Sequence, residues 1–149
     1  MKKMNNKGFS LVELIIVIAI MAVLVGVLAP QFIKYVESSK QSTDIQNASE
    51  IRAAIESFVA ENAPTSNVTV AVSSTGLTVS GGAYTDATGA PKTAADAIAL
   101  VGLSATTPCK SSGWTAQTVG VYDVTTYKWT PTANSNSKAP NKDLSDAFK

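Results

Sequence analysis

Between Leu14 and Ile33 the chain runs for twenty residues without one ionisable side chain. Wound as an α-helix, such a run is roughly 30 Å long, the thickness of a bilayer's hydrocarbon core. That length and composition suit lipid or a bed of other apolar helices, since exposing so much apolar surface to water is unfavourable. A carboxylate, Glu13, stands at the head of the run. An isolated carboxylate deep in a bilayer costs roughly 2.5–3.5 kcal/mol on insertion scales, so Glu13 needs a partner.

The residues before it suggest one. Lys2, Lys3 and Lys7 form a short basic leader that ends at the small-to-aromatic junction Gly8-Phe9. Cleavage between Gly8 and Phe9 creates an amino group four residues before Glu13. The unperturbed pKa of such a group is about 7.7–8.0, and a nearby carboxylate favours its charged form. The two charges then neutralise each other in lipid. A secretory signal peptide fits less well, because the apolar run exceeds an ordinary h-region. Its best small-residue cut, after Ala29, also leaves Pro30 at the scissile bond. A plain single-pass anchor leaves Glu13 unexplained.

The stretch Lys7-Gly8-Phe9-Ser10-Leu11-Val12-Glu13-Leu14-Ile15, with Pro30 near the end of the apolar run, resembles the type IV pilin family and its pseudopilin relatives. The resemblance covers the first thirty residues or so. It implies that Gly8 is the last leader residue, cut by a prepilin peptidase, and that Phe9 is the mature, N-methylated terminus. It implies that Glu13 meets the N-terminus of a neighbouring subunit during assembly. Gly26 and Pro30 fall where packed pilin helices lose helical order. The implied organisation is a cleaved leader (1–8), a membrane-spanning and filament-core helix (9–33), and an amphipathic helix half with an extracytoplasmic head and C-terminal loop region (34–149).

The implied fold is α+β, a long N-terminal helix packed on a small antiparallel sheet. The implied function is that of a structural subunit, a major pilin of a surface filament serving adhesion or twitching motility. Its partners are other copies of itself in a helical homopolymer, the prepilin peptidase and the pilus assembly platform. It sits in the cytoplasmic membrane before assembly and in an extracellular filament afterwards. The alternatives are a pseudopilin of a type II secretion or DNA-uptake machine, and, in a different class, a monomeric membrane-anchored binding domain.

Past Lys34 the helical pattern becomes amphipathic. Ile45, Ala48, Ile51, Ile55, Phe58 and Val59 recur at spacings of three and four, so they share one face. No sustained heptad points to a coiled coil. Asn62-Ala63-Pro64 ends the helix, because the residue before a proline is biased out of the α region. Phe9 to about Asn62 therefore reads as one helix, whose apolar second half wants a layer to pack on.

That layer is read from the alternation that follows. Val68, Val70 and Val72, then Leu77 and Val79, alternate with polar or small residues across Ser74-Thr75-Gly76 and predict a hairpin. Gly81 to Pro91 reads as a loop. Thr93 with Asp96 three residues later reads as the start of a short helix running to Gly102. Trp114 to Thr130 predicts two more strands, turning at Asp123-Val124-Thr125-Thr126. Trp114, Tyr122, Tyr127 and Trp129 are expected as core and cross-strand residues. Asn134 to Lys142 reads as a loose polar tail. A globular part this small has a marginal core, so the amphipathic helix face is expected to be integral to it.

Catalytic chemistry has little to work with. The chain has no histidine, the commonest general base and metal ligand. Gly81-Gly82 and Gly89 lack the Gly-Lys-Ser/Thr of a phosphate loop. Asp143 and Asp146 supply too few oxygens for the six to eight that calcium takes. No cofactor or metal is expected. Asn47-Ala48-Ser49 and Asn67-Val68-Thr69 match a glycosylation pattern that is frequent by chance. The lone Cys109 has no intrachain disulfide partner and reads as a small buried residue, not a reactive thiol. Without the leader lysines, nine cationic side chains face eleven carboxylates. That near-neutral balance gives no electrostatic case for strong nucleic-acid binding.

Overall fold

The computed structural model of the 149-residue chain describes residues 8–100, 102–138 and 142–149. The leader lysines Lys2, Lys3 and Lys7 lie outside the described residues. The chain divides into two compact units, Met1–Val36 and Glu37–Lys149.

One helix, α1 (Leu11–Asn62), runs through the division. It starts with a one-sided cap: Glu13 Oε2 accepts from the Ser10 N–H at 3.0 Å, and the Ser10 carbonyl takes the first intrahelical bond, from the Leu14 N–H at 3.2 Å. A Glu at the third helical position satisfies a donor that the helix start leaves orphaned. The other end is capped by conformation. Ala63 turns to φ 45° and its N–H reaches the Val59 carbonyl at 3.1 Å, while Asn62 Nδ2 donates to the Phe58 carbonyl at 3.0 Å. The helix therefore stops through a left-handed residue just ahead of Pro64.

In the first unit the large apolar side chains from Leu11 to Tyr35 are exposed. In the second unit α1 buries Ala48, Ile51, Ile55, Phe58 and Val59, and Ile45 is half-buried, as the spacing predicts. Gln41 and Asp44, polar residues outside that stripe, are fully buried as well.

Among the described residues seven strands follow: β1 (Val68–Ser73), β2 (Gly76–Gly81), β3 (Tyr84–Thr85), β4 (Pro91–Lys92), β5 (Thr106–Thr107), β6 (Thr118–Asp123) and β7 (Lys128–Pro131). Five form an antiparallel sheet in the order β5-β2-β1-β6-β7. The predicted hairpin is β1–β2, with Val70 opposite Val79. Its turn needs Gly76, at φ 133°, where a Cβ would lie 2.2 Å from the Thr107 carbonyl oxygen. The buried face of the sheet (Val68, Val70, Val72, Leu77, Val79, Val119, Tyr122) forms one apolar cluster with the α1 stripe. Fully burying side chains such as Ile51 and Ile55 stabilises by about 1.5–3 kcal/mol each. The helix half is thus part of the domain core.

The short helix α2 (Ala94–Leu100) starts where predicted, with Asp96 Oδ2 accepting from the Thr93 N–H at 2.8 Å and its hydroxyl at 2.9 Å. It is closed by Gly102 N–H to the Ala99 carbonyl and Leu103 N–H to the Ile98 carbonyl. That double bond pattern across a left-handed glycine stops the helix at Leu100, short of Gly102.

Three sequence expectations are corrected. The segment Gly81–Pro91 is not all loop: Tyr84–Thr85 pairs with Pro91–Lys92. Tyr127 is not a core residue. It sits in the β6–β7 turn at φ 55° and is 68 % exposed, while Tyr122 and Trp129 pair across the strands with ring centroids 5.1 Å apart. The segment 134–142 is not a loose tail over its described part. Asn134 and Asn136 are buried; Asn134 bonds both the N–H and the carbonyl of Thr115, and Asn136 Nδ2 donates to Ser111 Oγ at 2.6 Å. Residues 139–141 of that segment lie outside the described residues. Beyond them a 3-10 helix (Leu144–Phe148) buries Leu144, Ala147 and Phe148. Phe148 rests on Gly120, where an added Cβ would come within 2.8 Å of the ring, and packs against Trp129 at 4.8 Å.

Candidate processing and assembly site

Of the residues singled out near the N-terminus, Gly8 and Phe9 precede α1, and Glu13, Gly26 and Pro30 lie within it. Gly8, Phe9 and Ser10 precede the helix and are exposed. The Gly8–Phe9 peptide is therefore extrahelical. Nothing lies within 4 Å of a Cβ built on Gly8. Glu13, in the first turn, is also exposed, and its carboxylate is already engaged with the Ser10 N–H. The sequence carries this bond in Ser10-Leu11-Val12-Glu13, a Ser-x-x-Glu capping signature distinct from any intersubunit role of Glu13. One N–H leaves most of the carboxylate's acceptor capacity open, so the local cap does not exhaust Glu13.

Gly26 and Pro30 lie four residues apart inside α1, which is α-helical through both. Their spacing joins them into one feature. Pro30 has no N–H to donate to the carbonyl four residues back, which belongs to Gly26. The helix thus carries its least favourable residue and its most flexible one at the two ends of a single missing hydrogen bond. No Cβ neighbour lies within 4 Å of Gly26.

A second arrangement emerges in the head, where sequence reasoning placed no site. Asp44 is fully buried and accepts three hydrogen bonds: from the Lys110 N–H (2.6 Å), the Ser111 N–H (2.9 Å) and Trp114 Nε1 (2.8 Å). Ser111 Oγ bonds Glu37 on the same helix. Asp143 does the same for the C-terminal segment, accepting from the Asn134 N–H and the Ser145 N–H at 2.8 Å each. Burial pushes the Asp143 carboxyl up, but these N–H donors more than offset it and hold its pKa below the usual value. Arg52 donates to the carbonyls of Ala147 and Lys149 and to Glu56 Oε1, which also receives Trp129 Nε1 at 2.9 Å. Glu37 and Asp44 of α1 thus hold the loop that carries Lys110, Ser111 and Trp114, while Arg52 and Glu56 hold the C-terminal segment and Trp129 of β7.

Cys109 is half-buried against the core. Burial first, and the nearby Asp44 charge second, push its thiol up to about 11. It lines a cleft with Ser73, Thr75, Ser111, Ser112 and Trp114. With its thiol protonated at neutral pH, it is a poor nucleophile there.

Comparison with known proteins bears on the N-terminal segment. Residues 3–29 match the family described as the prokaryotic N-terminal methylation motif. The chain is 44 % identical over 68 residues to a prepilin peptidase-dependent protein A of Clostridium perfringens, covering 45 % of this chain and 49 % of that one. It is 43 % identical over 57 residues to the type IV major pilin protein PilA of Myxococcus xanthus, covering 38 % and 26 %. It is 39 % identical over 57 residues to the type IV major fimbrial protein FimA of Dichelobacter nodosus, covering 38 % and 36 %. The chain thus spans half or less of the length of these relatives. No solved structure matches it. The prepilin methylation motif, the long apolar helix and the small antiparallel sheet make this a type IV pilin-like protein of α+β fold.

Proposed function

We propose that the chain is the structural subunit of a type IV pilus-like filament, processed between Gly8 and Phe9 and held in the cytoplasmic membrane by residues 9–33 before it assembles with copies of itself. The observation that carries this reading is the exposed apolar run Leu14–Ile33 with one carboxylate at its head. In lipid, and then in a core of identical helices, the run stays out of water throughout. Glu13 meets the new ammonium of Phe9 on a neighbouring subunit, so neither charge is buried alone. The missing bond between Gly26 and Pro30 lets that part of the helix unwind when subunits pack, while residues 34–149 form the surface of the filament.

Shearing surface filaments from cells and measuring the intact mass and N-terminal sequence of the main band tests this. The expected species begins with a methylated Phe9. A main species beginning at Met1 or Pro30 overturns the processing site. A chain that stays wholly in the membrane fraction as a monomer overturns the filament.

A further inference from the structure

Charge in the second unit is sorted by position. Four lysines gather around residues 37–44 of α1. Lys40 is exposed on the helix. Lys110 is brought there by its N–H bond to Asp44, and its side chain is exposed. Lys138 Nζ donates to Ser112 Oγ at 2.6 Å, next to the Ser111 that bonds Glu37. Lys142 Nζ donates to the Ser38 carbonyl at 3.1 Å and to Ser42 Oγ. The carboxylates at this end are Glu37, Asp44 and Asp143, and each is turned onto N–H or O–H donors of the loops. Among the described residues the ion pairs are Arg52–Glu56 and Lys149–Asp146, so none of the four lysines is neutralised by a carboxylate. Beyond these groups the second unit carries seven carboxylates against four cationic side chains. Asp44 is buried and Glu37, Asp143 and Lys142 are half-buried, whereas Lys40, Lys110 and Lys138 are exposed.

We propose that this lysine face binds the anionic phosphodiester headgroups of the membrane that holds the unassembled subunit. The proposal rests on reading Leu14–Ile33 as a membrane span. Two observations select a lipid surface as the occupant. The face is made of separate ammonium groups on neutral hydroxyl and carbonyl supports, which suits a field of mobile phosphates better than one fixed ligand. It also begins close in sequence to the span: six residues separate Ile33 from Lys40, and Lys34 is one of them. The potential of an anionic membrane decays within a Debye length, about 8–10 Å, so only groups carried close to the end of a span feel it. Headgroup contact would steady the head at the membrane until the subunit is drawn into a filament.

The test is amine footprinting of the full chain in nanodiscs of phosphatidylcholine alone and with about 30 % phosphatidylglycerol, a composition that sets up an anionic surface. Acylation rates of individual lysines are read by peptide mass spectrometry. In the anionic discs Lys40, Lys110, Lys138 and Lys142 should react about fivefold more slowly, the scale of one lysine's attraction to such a surface. About 0.5 M salt should restore their rates by screening. Lys92 and Lys128, outside the face, serve as internal references and should not change. Equal rates for the four lysines in both lipids overturn the proposal alone. Protection that follows protein density and not lipid charge also overturns it, in favour of a second copy of the chain. Failure of the chain to remain in either disc overturns the span reading and the proposal with it.

Discussion

At the residue scale, two carboxylates on α1 do opposite work. Glu13 is exposed and half-committed to a helix cap; Asp44 is buried and fully committed to three donors. The cap gives a way to separate the two roles of Glu13. Glu13→Gln keeps an acceptor for the Ser10 N–H but loses the charge; Glu13→Ala loses both. Both variants should insert into the membrane as well as the parent, since an intramembrane charge is gone. Filaments should nevertheless fail in both, because the Phe9 ammonium then enters an apolar core without a partner, at about 3–5 kcal/mol. Filament counts alongside immunoblots of cleaved, membrane-bound subunit read this out. Normal filaments with Gln and none with Ala would reduce Glu13 to a helix cap. For Asp44→Ala the expected effect is on folding: two buried donors and one part-buried donor are orphaned, the buried ones costing about 1–3 kcal/mol each if unrelieved. A urea titration followed by Trp fluorescence should show a lower midpoint and a red-shifted Trp114. A change under about 0.5 kcal/mol, the size of an ordinary surface substitution, would contradict the anchor role.

Among the elements, the C-terminal 3-10 helix starts on a charged cap, Asp143, and ends on carbonyls held by Arg52. Asp143 bonds the Ser145 N–H at the start of that helix and the Asn134 N–H nine residues back. Its folded pKa lies below the value near 3.9 of an unfolded aspartate. A carboxyl depressed on folding contributes stability that is complete above the unfolded value and is lost as pH falls through the folded one. The parent should therefore exceed Asp143→Asn in stability by a constant margin above about pH 4, narrowing below it. Chemical denaturation at several pH values measures that margin. A gap that persists unchanged at pH 2 would show that the carboxylate's charge is not what holds the segment. Phe148, which this cap positions over Gly120, shows why the segment matters to the rest: it fills the space left where β6 has no side chain.

For the whole molecule, the compact unit Glu37–Lys149 carries its own core, including the second half of α1. A chain beginning at Lys34 is expected to be a soluble, folded monomer. One beginning at Ala60 loses Ile51, Ile55, Phe58 and Val59, each worth about 1.5–3 kcal/mol of burial, against a total stability of about 5–15 kcal/mol for a domain. It should be unfolded or aggregated by circular dichroism and size exclusion. Equal stability of the two chains would mean that the helix does not complete the sheet.

The N-terminal segment, the helical stripe and the β1–β2 hairpin were legible in the sequence because each rests on local periodicity: an uncharged run, a three-and-four spacing, an alternation of two. The β6–β7 turn was legible for a similar reason, since Asp123 accepts from the Thr125 and Thr126 N–H groups two and three residues on. The segment from Asn134 onward looked loose because its polar residues have no pattern of their own. They are ordered by partners 19, 25 and 9 residues away, which only the tertiary structure brings near. Asp44 carries no signal of its own in the sequence for the same reason. On a helical wheel it is one more polar residue beside the stripe, and only the loop carrying Lys110, Ser111 and Trp114 makes it the most heavily bonded carboxylate of α1. Short-range geometry is written in short-range spacing, whereas a buried polar group takes its meaning from donors that the chain supplies from far away.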